Sequence, residues 1–99
     1  MNKFDEHING TKPVIVDFFA EWCGPCKMMP PILHKVKESV GDKATILKMD
    51  IDKNPAYSRQ FEIMAVPTII IFKNGKAIWR NSGVPTANQI MDQLRSLMS

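Results

Sequence analysis

Residues 14–31, VIVDFFAEWCGPCKMMPP, join an apolar run to two cysteines and then to two prolines. The run VIVDFFA (14–20) is almost entirely β-branched and aromatic, a pattern typical of a strand buried on both faces. Beyond the cysteines, apolar residues recur at spacings of three and four as far as Gly41, which predicts an amphipathic helix. The stretch therefore predicts a strand that runs directly into a helix, with both cysteines at the corner.

The middle of the chain repeats this alternation. ATILKMDI (44–51) predicts a second strand, and the crossover before it favours a parallel, right-handed unit. NPAYSRQFEI (54–63) begins with a helix-start signal and predicts a short helix. PTIIIFKNGKAIWRNSG (67–83) predicts an antiparallel hairpin around Asn74 and Gly75, which tolerate the positive φ of a two-residue turn.

The two ends of the chain predict helices. Thr86 and Gln89 form a capping box before an amphipathic pattern, and Phe4 and Ile8 are spaced as neighbours on a short helix. The predicted order is α-β-α-β-α-β-β-α, an α/β fold with a central mixed sheet and helices on both faces. A length of 99 residues predicts a single domain, 1–99.

Composition excludes several classes of function. Hydrophobic residues make up 44% of the chain, the net charge is +3, and the basic residues are scattered singly. This scattered distribution of basic residues favours an ordinary solvated surface over a nucleic-acid-binding surface. No apolar stretch approaches the roughly eighteen residues needed to cross a membrane, and the first ten residues lack the apolar core of a signal peptide. We expect a cytoplasmic protein, or a periplasmic one if a leader has been removed.

Cys23 and Cys26 are the only cysteines, and their C-x-x-C spacing admits several interpretations. A disulfide there would close almost no loop, so a structural staple is a weak explanation. Zinc needs about four ligands, and only His7 and His34 remain. Covalent haem attachment calls for histidine where Lys27 stands. The strand-to-helix corner disfavours a buried inert pair, and unpaired N–H groups at a helix start stabilise a thiolate. These features favour a redox pair.

The segments FFAEWCGPCKMMPP, KMDIDKNP and VPTIIIFKNG, with a glycine at 83, resemble the thioredoxin family in identity, order and spacing. The resemblance extends from about residue 4 to the end. It implies a thioredoxin fold and reduction of protein disulfides by dithiol exchange through a mixed disulfide. It also implies no bound cofactor or metal. The expected partners are disulfide-containing proteins and a thioredoxin reductase that supplies electrons, and the chain is expected to be a monomer.

The resemblance also assigns roles within the motif. Cys23 would be the exposed nucleophile and Cys26 the shielded thiol that resolves the mixed disulfide. Gly24 and Pro25 would tune the couple toward reduction. Propensity alone would start the helix at the prolines, but the family keeps one continuous helix kinked at a position matching Pro31, and we expect the same here.

Asp17 is unusual because a carboxylate inside an apolar strand costs several kcal/mol unless it is paired or neutral. From the residues alone, it could lie at a strand edge and reach water. The resemblance instead implies that it lies beneath Cys26 and accepts its proton. Lys48 matches the family's lysine partner of that carboxylate, although it could equally be an exposed edge lysine.

A substrate-docking surface is implied around the cysteines. It comprises Trp22, Met64, Val66, Pro67 and Gly83, with the Val66–Pro67 peptide bond cis. The residues alone leave core positions open for Trp22 and Met64, and an X-Pro bond is only occasionally cis. An exposed backbone before the proline would pair with an extended substrate without reading its sequence.

The chain departs from the family at its start. Too few residues precede Phe4 to form the extra N-terminal strand usual in thioredoxins. We therefore expect a four-stranded sheet in which the strand at 44–50 is an exposed edge, protected by Lys43 and Lys48.

Two rival functions remain open from the sequence. An exported thioredoxin-like oxidant or isomerase would share the motif, but Gly24 and Pro25 argue against it. A non-catalytic binding subunit would share the fold, but the cysteine pair, Asp17 and Pro67 together argue against that.

Overall fold

The computed structural model describes residues 2–98. The strands are β1 (Val14–Phe19), β2 (Thr45–Asp50), β3 (Thr68–Lys73) and β4 (Lys76–Ser82). The α-helices are α1 (Lys3–Ile8), α2 (Met29–Val40), α3 (Pro55–Gln60) and α4 (Ala87–Leu94). Short 3-10 turns occupy Pro25–Met28, Gly41–Lys43 and Arg95–Leu97. The predicted order of helices and strands is confirmed.

The four strands form one mixed sheet in the order β2-β1-β3-β4. β1 runs parallel to β2 and antiparallel to β3. Asp17 of β1 lies opposite Lys48 of β2 on one side and Ile69 of β3 on the other. β2 is an edge of the sheet among the described residues, as predicted from the sequence.

Helices cover both faces of the sheet, because each central strand buries side chains in both directions. On one face α2 and α4 bury a cluster that includes Ile15, Leu33, Ile71 and Ile90. On the other face α1 and α3 cover a cluster built on Val16, Phe18, Ile70 and Phe72. Asp17 is two residues after Ile15 in β1, so both side chains lie on the α2 face of the sheet.

The β3–β4 hairpin turns at Asn74 and Gly75, whose φ angles are 55° and 79°. Both values lie in the left-handed region that the Asn-Gly pair was expected to adopt. The turn is also held from outside, because the Asn74 and Gly75 N–H groups donate to the carbonyls of Gly10 and Ile8, each at 2.8 Å. A Cβ at position 75 would lie 2.6 Å from Asn9 Oδ1, the end of a side chain that would have to move to accommodate it.

The cysteine-bearing helix differs in one detail from the prediction. We expected one continuous helix kinked at Pro31; residues 25–40 are helical without a break, but Pro25–Met28 form a 3-10 turn and α2 begins at Met29. Pro30 and Pro31 thus occupy the first turn of α2. The Met29 N–H donates to the Cys26 carbonyl of the 3-10 turn, whereas the two prolines have no N–H to donate. The capping box at the other predicted helix start, Thr86 and Gln89, is formed.

Candidate active site

The two cysteines lie where β1 gives way to the first helical turn. The Cys23 N–H donates to the Ala20 carbonyl at 3.1 Å, and the Lys27 N–H donates to the Gly24 carbonyl at 3.1 Å. These bonds wind residues 20–27 into two successive tight turns. Cys23 and Cys26 form a disulfide with a Cα–Cα distance of 5.4 Å. The spacing thus brings the two thiols together as a pair that can open and close with little rearrangement.

The two sulfur atoms have different surroundings. Cys23 Sγ accepts a hydrogen bond from the Cys26 backbone N–H at 3.2 Å. The Val66 carbonyl oxygen also lies 3.6 Å from Cys23 Sγ. An N–H donor directed at Cys23 would stabilise a thiolate on that sulfur once the disulfide is reduced. This asymmetry supports the prediction that Cys23 is the nucleophile.

The expected contrast in exposure between the cysteines is not found in the disulfide form. Cys23 is 4% exposed and Cys26 is 7% exposed, so Cys23 is not the more accessible residue. The physical reason is that the disulfide packs against Val66, Phe19 and Ile51 at the end of the sheet. Cys23 differs from Cys26 in its contacts rather than in its exposure: its sulfur accepts the Cys26 N–H and lies beside the Val66 carbonyl.

Asp17 is buried, with 2% of its surface exposed, so it does not reach water at a strand edge. Its Oδ1 atom has no hydrogen-bond partner. Asp17 shares a cleft of 280 Å³ with both cysteines, Pro30 and Lys48. Burial raises the pKa of the Asp17 carboxyl from 3.8 to about 6, and the Lys48 charge lowers it by a smaller amount. A carboxyl with this pKa can accept a proton near neutral pH.

Lys48 is exposed and lies directly across the β1–β2 ladder from Asp17. The ion pairs among residues 2–98 do not include this one, so Lys48 acts on Asp17 as a nearby charge. The sequence left partnership with Asp17 and edge protection as alternatives. The structure places Lys48 so that it can do both, since β2 is an edge strand that borders the cleft.

Of the predicted docking residues, Val66 packs against the disulfide and Trp22 directly precedes Cys23. The Val66–Pro67 peptide bond is cis, as the family resemblance implied. Pro67 is buried, and its carbonyl accepts the Gly83 N–H at 2.9 Å, so the two loops are tied together. Gly83 has φ of 97°, which explains glycine there, although a Cβ would meet open space. Trp22 is 70% exposed and Met64 is 92% exposed, so neither is a core residue.

Gly24 and Pro25 lie on the outer surface of the turn between the cysteines. Gly24 has φ of −60°, a value that any residue adopts, and a Cβ there would meet nothing within 4 Å. Neither backbone conformation nor internal space therefore requires glycine at this position. A bare, exposed backbone next to the disulfide leaves room for a partner to approach Cys23.

Sequence reasoning missed the residues that hold Trp22. The indole Nε1–H of Trp22 donates to Asp52 Oδ2 at 2.8 Å. Asp52 follows β2 in a turn where Asp50 Oδ1 accepts the Asp52 N–H at 2.9 Å and the Lys53 N–H at 3.3 Å. The available signal was the pair of aspartates, Asp50 and Asp52, in the segment KMDIDKNP. Trp22, the partner of Asp52, is thirty residues away in the sequence, so a local pattern could not identify it.

Residues 2–98 contain no cluster of three or more His, Cys, Asp or Glu side chains that could hold a metal ion. Within the same range, no helix has both the length and the apolar character to cross a membrane.

The arrangement can perform thiol–disulfide exchange, so the fold and the site define a protein-disulfide oxidoreductase. Comparison with known proteins supports this class. A family model described as Thioredoxin matches residues 1–96. The chain belongs to the thioredoxin family.

Relatives and solved structures agree with this assignment. The chain is 46% identical over 98 residues to a chloroplastic thioredoxin Y of Oryza sativa subsp. japonica, covering 98% of this chain and 58% of that protein. It is 43% identical over 95 residues to a thioredoxin of Alicyclobacillus acidocaldarius subsp. acidocaldarius, covering 96% and 90%. A mutant thioredoxin from Halobacterium salinarum NRC-1 superposes with a TM-score of 0.88 at 27% identity, covering 100% of this chain and 86% of that one. The fold prediction is confirmed, and the residue roles stay predictions.

Proposed function

We propose that this protein reduces disulfide bonds in other proteins, with Cys23 and Cys26 as the dithiol that supplies two electrons. The observation that carries the proposal is the Cys23–Cys26 disulfide itself, placed 3.6 Å from a backbone carbonyl of the cis-proline loop. A redox pair next to the Val66 backbone has both the chemistry and the docking contact that a disulfide reductase needs.

The first step uses Cys23 in the reduced protein. Its thiolate, stabilised by the Cys26 N–H, attacks one sulfur of the substrate disulfide. A bond forms between Cys23 and that sulfur, the substrate S–S bond breaks, and the other substrate sulfur leaves as a thiolate. The substrate remains attached through a mixed disulfide.

The second step uses Cys26 and Asp17. Asp17 shares the cleft with Cys26 and has a pKa of about 6, so it is suited to accept the Cys26 thiol proton. The Cys26 thiolate then attacks Cys23 Sγ. The Cys23–Cys26 disulfide forms, the mixed disulfide breaks, and the second substrate sulfur leaves as a thiolate. The substrate has gained two electrons and this protein has lost two.

Substrate would bind along the loop that ends at Pro67. The Val66 carbonyl lies beside Cys23, and the Trp22 and Met64 side chains, which are near these residues in the sequence, are exposed. Backbone pairing at Val66 would align an extended segment with its disulfide over Cys23 while apolar contacts supply most of the affinity. All of these residues lie in one chain, so a monomer is sufficient.

The protein must be reduced again after each turnover. We infer that a thioredoxin reductase supplies these electrons and that the protein works in the cytoplasm or another reducing compartment. Both cysteines are used by the redox pair, so no structural bridge among residues 2–98 requires an oxidising environment. The Gly24–Pro25 dipeptide supports a reductant over an oxidant. A reduction potential measured against glutathione tests this point, and a value more oxidising than glutathione would favour the oxidant.

The activity is tested by the reduction of insulin with dithiothreitol as the electron source. The wild-type chain should accelerate the reaction, whereas Cys23→Ser should fall to the uncatalysed rate. Ser39→Ala, an exposed substitution on α2, is the matched control and should keep full activity. A wild-type rate equal to that of Cys23→Ser would reject the proposed function.

A further inference from the structure

A buried hydroxyl holds the loop that precedes β3. Thr68 is the first residue of β3 and is 2% exposed, although its side chain is polar. Its Oγ1–H donates to the Ala65 carbonyl at 2.7 Å. Thr68 pairs with Phe18 of β1 and with Ser82 of β4, so strands on both sides fix the backbone that carries the hydroxyl. The carbonyl of Ala65, an exposed loop residue, is thus held by a rigid part of the sheet.

The bond from Thr68 fixes the orientation of one peptide unit. The Ala65 carbonyl and the Val66 N–H belong to the same planar trans peptide group, so the two point in opposite directions. Because the carbonyl is directed at the Thr68 hydroxyl, the Val66 N–H is directed away from it. Among residues 2–98, no hydrogen bond from this N–H to a backbone carbonyl is formed. The N–H can therefore donate to an incoming chain.

The same residue lies against the redox pair. The Val66 carbonyl oxygen is 3.6 Å from Cys23 Sγ, and the Val66 side chain packs against the cysteine cluster. Under the proposed function, an extended substrate pairs with the backbone at Val66. A peptide unit that could rotate freely would present its N–H in the productive direction only part of the time, which would lower the affinity for substrate. Fixing the unit in advance removes that loss.

We propose that Thr68 is a positioning residue for substrate, whose hydroxyl holds the Ala65–Val66 peptide unit so that the Val66 N–H pairs with the substrate backbone. This inference rests on the proposed reductase function and adds a preference to it. The pairing serves disulfides carried by a polypeptide, whose carbonyls accept the N–H, and it gives nothing to a small disulfide that has no peptide groups. A hydroxyl that only satisfied the Ala65 carbonyl would stabilise the fold without distinguishing these substrates.

Thr68→Val removes the hydroxyl and keeps the shape of the side chain. A methyl group in its place would lie 2.7 Å from the Ala65 oxygen, closer than the roughly 3.3 Å at which carbon and carbonyl oxygen meet. The peptide unit must then turn or the side chain must rotate, and either change releases the unit from its fixed orientation. Thr68→Ser keeps the hydroxyl and should restore the orientation.

The assay is a single-turnover reaction of the pre-reduced protein, with the remaining thiols counted after an acid quench. Thr68→Val should reduce insulin about fivefold more slowly than the wild type, the effect of losing one hydrogen bond to substrate. Its rate with hydroxyethyl disulfide should be unchanged, and Thr68→Ser should match the wild type with both substrates. Thr45→Val is the matched control, since Thr45 pairs with Val14 at the end of β1 away from the cysteines, and it should change neither rate.

A second measurement observes the Val66 N–H directly. The acetylated and amidated peptide Ser-Val-Cys-Val-Ser is attached chemically to Cys23 of the Cys26→Ser chain, and amide hydrogen exchange is followed by NMR. With Thr68 intact, attachment should slow exchange of the Val66 amide at least tenfold, because the amide then donates to the peptide. In the Thr68→Val form of the same chain, attachment should slow it by less than about twofold.

Three outcomes would overturn the proposal: equal slowing of Thr68→Val with insulin and with hydroxyethyl disulfide, wild-type rates with both, or an unprotected Val66 amide in the attached peptide complex with Thr68 intact. The last result needs no substitution at Thr68, so it decides the question even where Thr68→Val does not fold. Failure of the reductase function gives a different result. The wild type would then reduce insulin no faster than Cys23→Ser does, whatever the exchange of the Val66 amide.

Discussion

Replacing Asp17 with asparagine should stabilise the protein at neutral pH. The side chain keeps its size but cannot ionise in a site where 2% of the residue is exposed and Oδ1 has no hydrogen-bond partner. The wild-type carboxyl has a pKa of about 6, raised from 3.8 mainly by burial. The unfolded chain therefore ionises more readily than the folded one, and stability from this group is lost as pH rises through the interval between the two values.

The size of the effect follows from the two pKa values. A difference between 3.8 and about 6 corresponds to about 3 kcal/mol once the carboxyl is fully ionised in both states, as at pH 8. At pH 4.5 the same linkage gives about 1 kcal/mol, because the folded-state carboxyl is then almost fully protonated. The stability gained by Asp17→Asn should thus be about 2 kcal/mol larger at pH 8 than at pH 4.5.

The assay is urea denaturation of both proteins in their disulfide forms, followed by circular dichroism at the two pH values. Asp42→Asn is the matched control, since it removes an exposed carboxylate and should change stability little at either pH. A stability difference for Asp17→Asn that is the same at both pH values would refute the burial argument. If the variant also resolves its mixed disulfide at the wild-type rate, Asp17 is not the proton acceptor.

Three further predictions concern the cysteine pair and its surroundings. Cys26→Ser should trap a mixed disulfide between Cys23 and the substrate, and mass spectrometry of the linked peptides identifies it. Cys23 is the only cysteine left in that variant, so failure to trap a mixed disulfide would contradict the proposed order of attack. Asp52→Ala removes the hydrogen bond to the Trp22 indole and should lower kcat/KM for a protein disulfide by about fivefold, the worth of about 1 kcal/mol, without altering the rate with a small disulfide. Gly83→Ala should lower the free energy of unfolding by about 1–2 kcal/mol because φ at position 83 is 97°. Gly24→Ala should not destabilise the chain, because φ at position 24 is −60°. Equal effects of the two substitutions in urea denaturation would refute this reasoning.

Local chemistry accounts for the elements that the sequence predicted well. The Asn74–Gly75 turn and the Thr86–Gln89 capping box each depend on residues within a few positions of one another. The start of α2 was harder, because 3-10 and α geometries differ by one position in hydrogen-bond partner and two prolines fit the first turn of either.

The placement of single side chains was predicted less well. The residues alone allowed Trp22 to be core, yet it is exposed and held by Asp52 from a turn after β2. The family resemblance led us to expect an exposed Cys23, yet the disulfide is covered by Val66 and its neighbours. Asp52 is 30 residues from Trp22 in the sequence and Val66 is 43 residues from Cys23, and periodicity and spacing do not detect contacts over such separations.

The order of helices and strands, the cysteine pair at a strand-to-helix corner and, through the family motif, the proposed chemistry could all be predicted from the residues. Which groups meet at that corner depends on the tertiary structure. Asp17 faces Lys48 because β1 and β2 pair in one register, and Val66 lies beside Cys23 because β3 pairs with β1 from the other side. A shift of one residue in either pairing would turn these side chains to the opposite face, and register is set by the burial of whole strand faces. Local residues therefore supplied the reactive groups, while long-range burial brought them together.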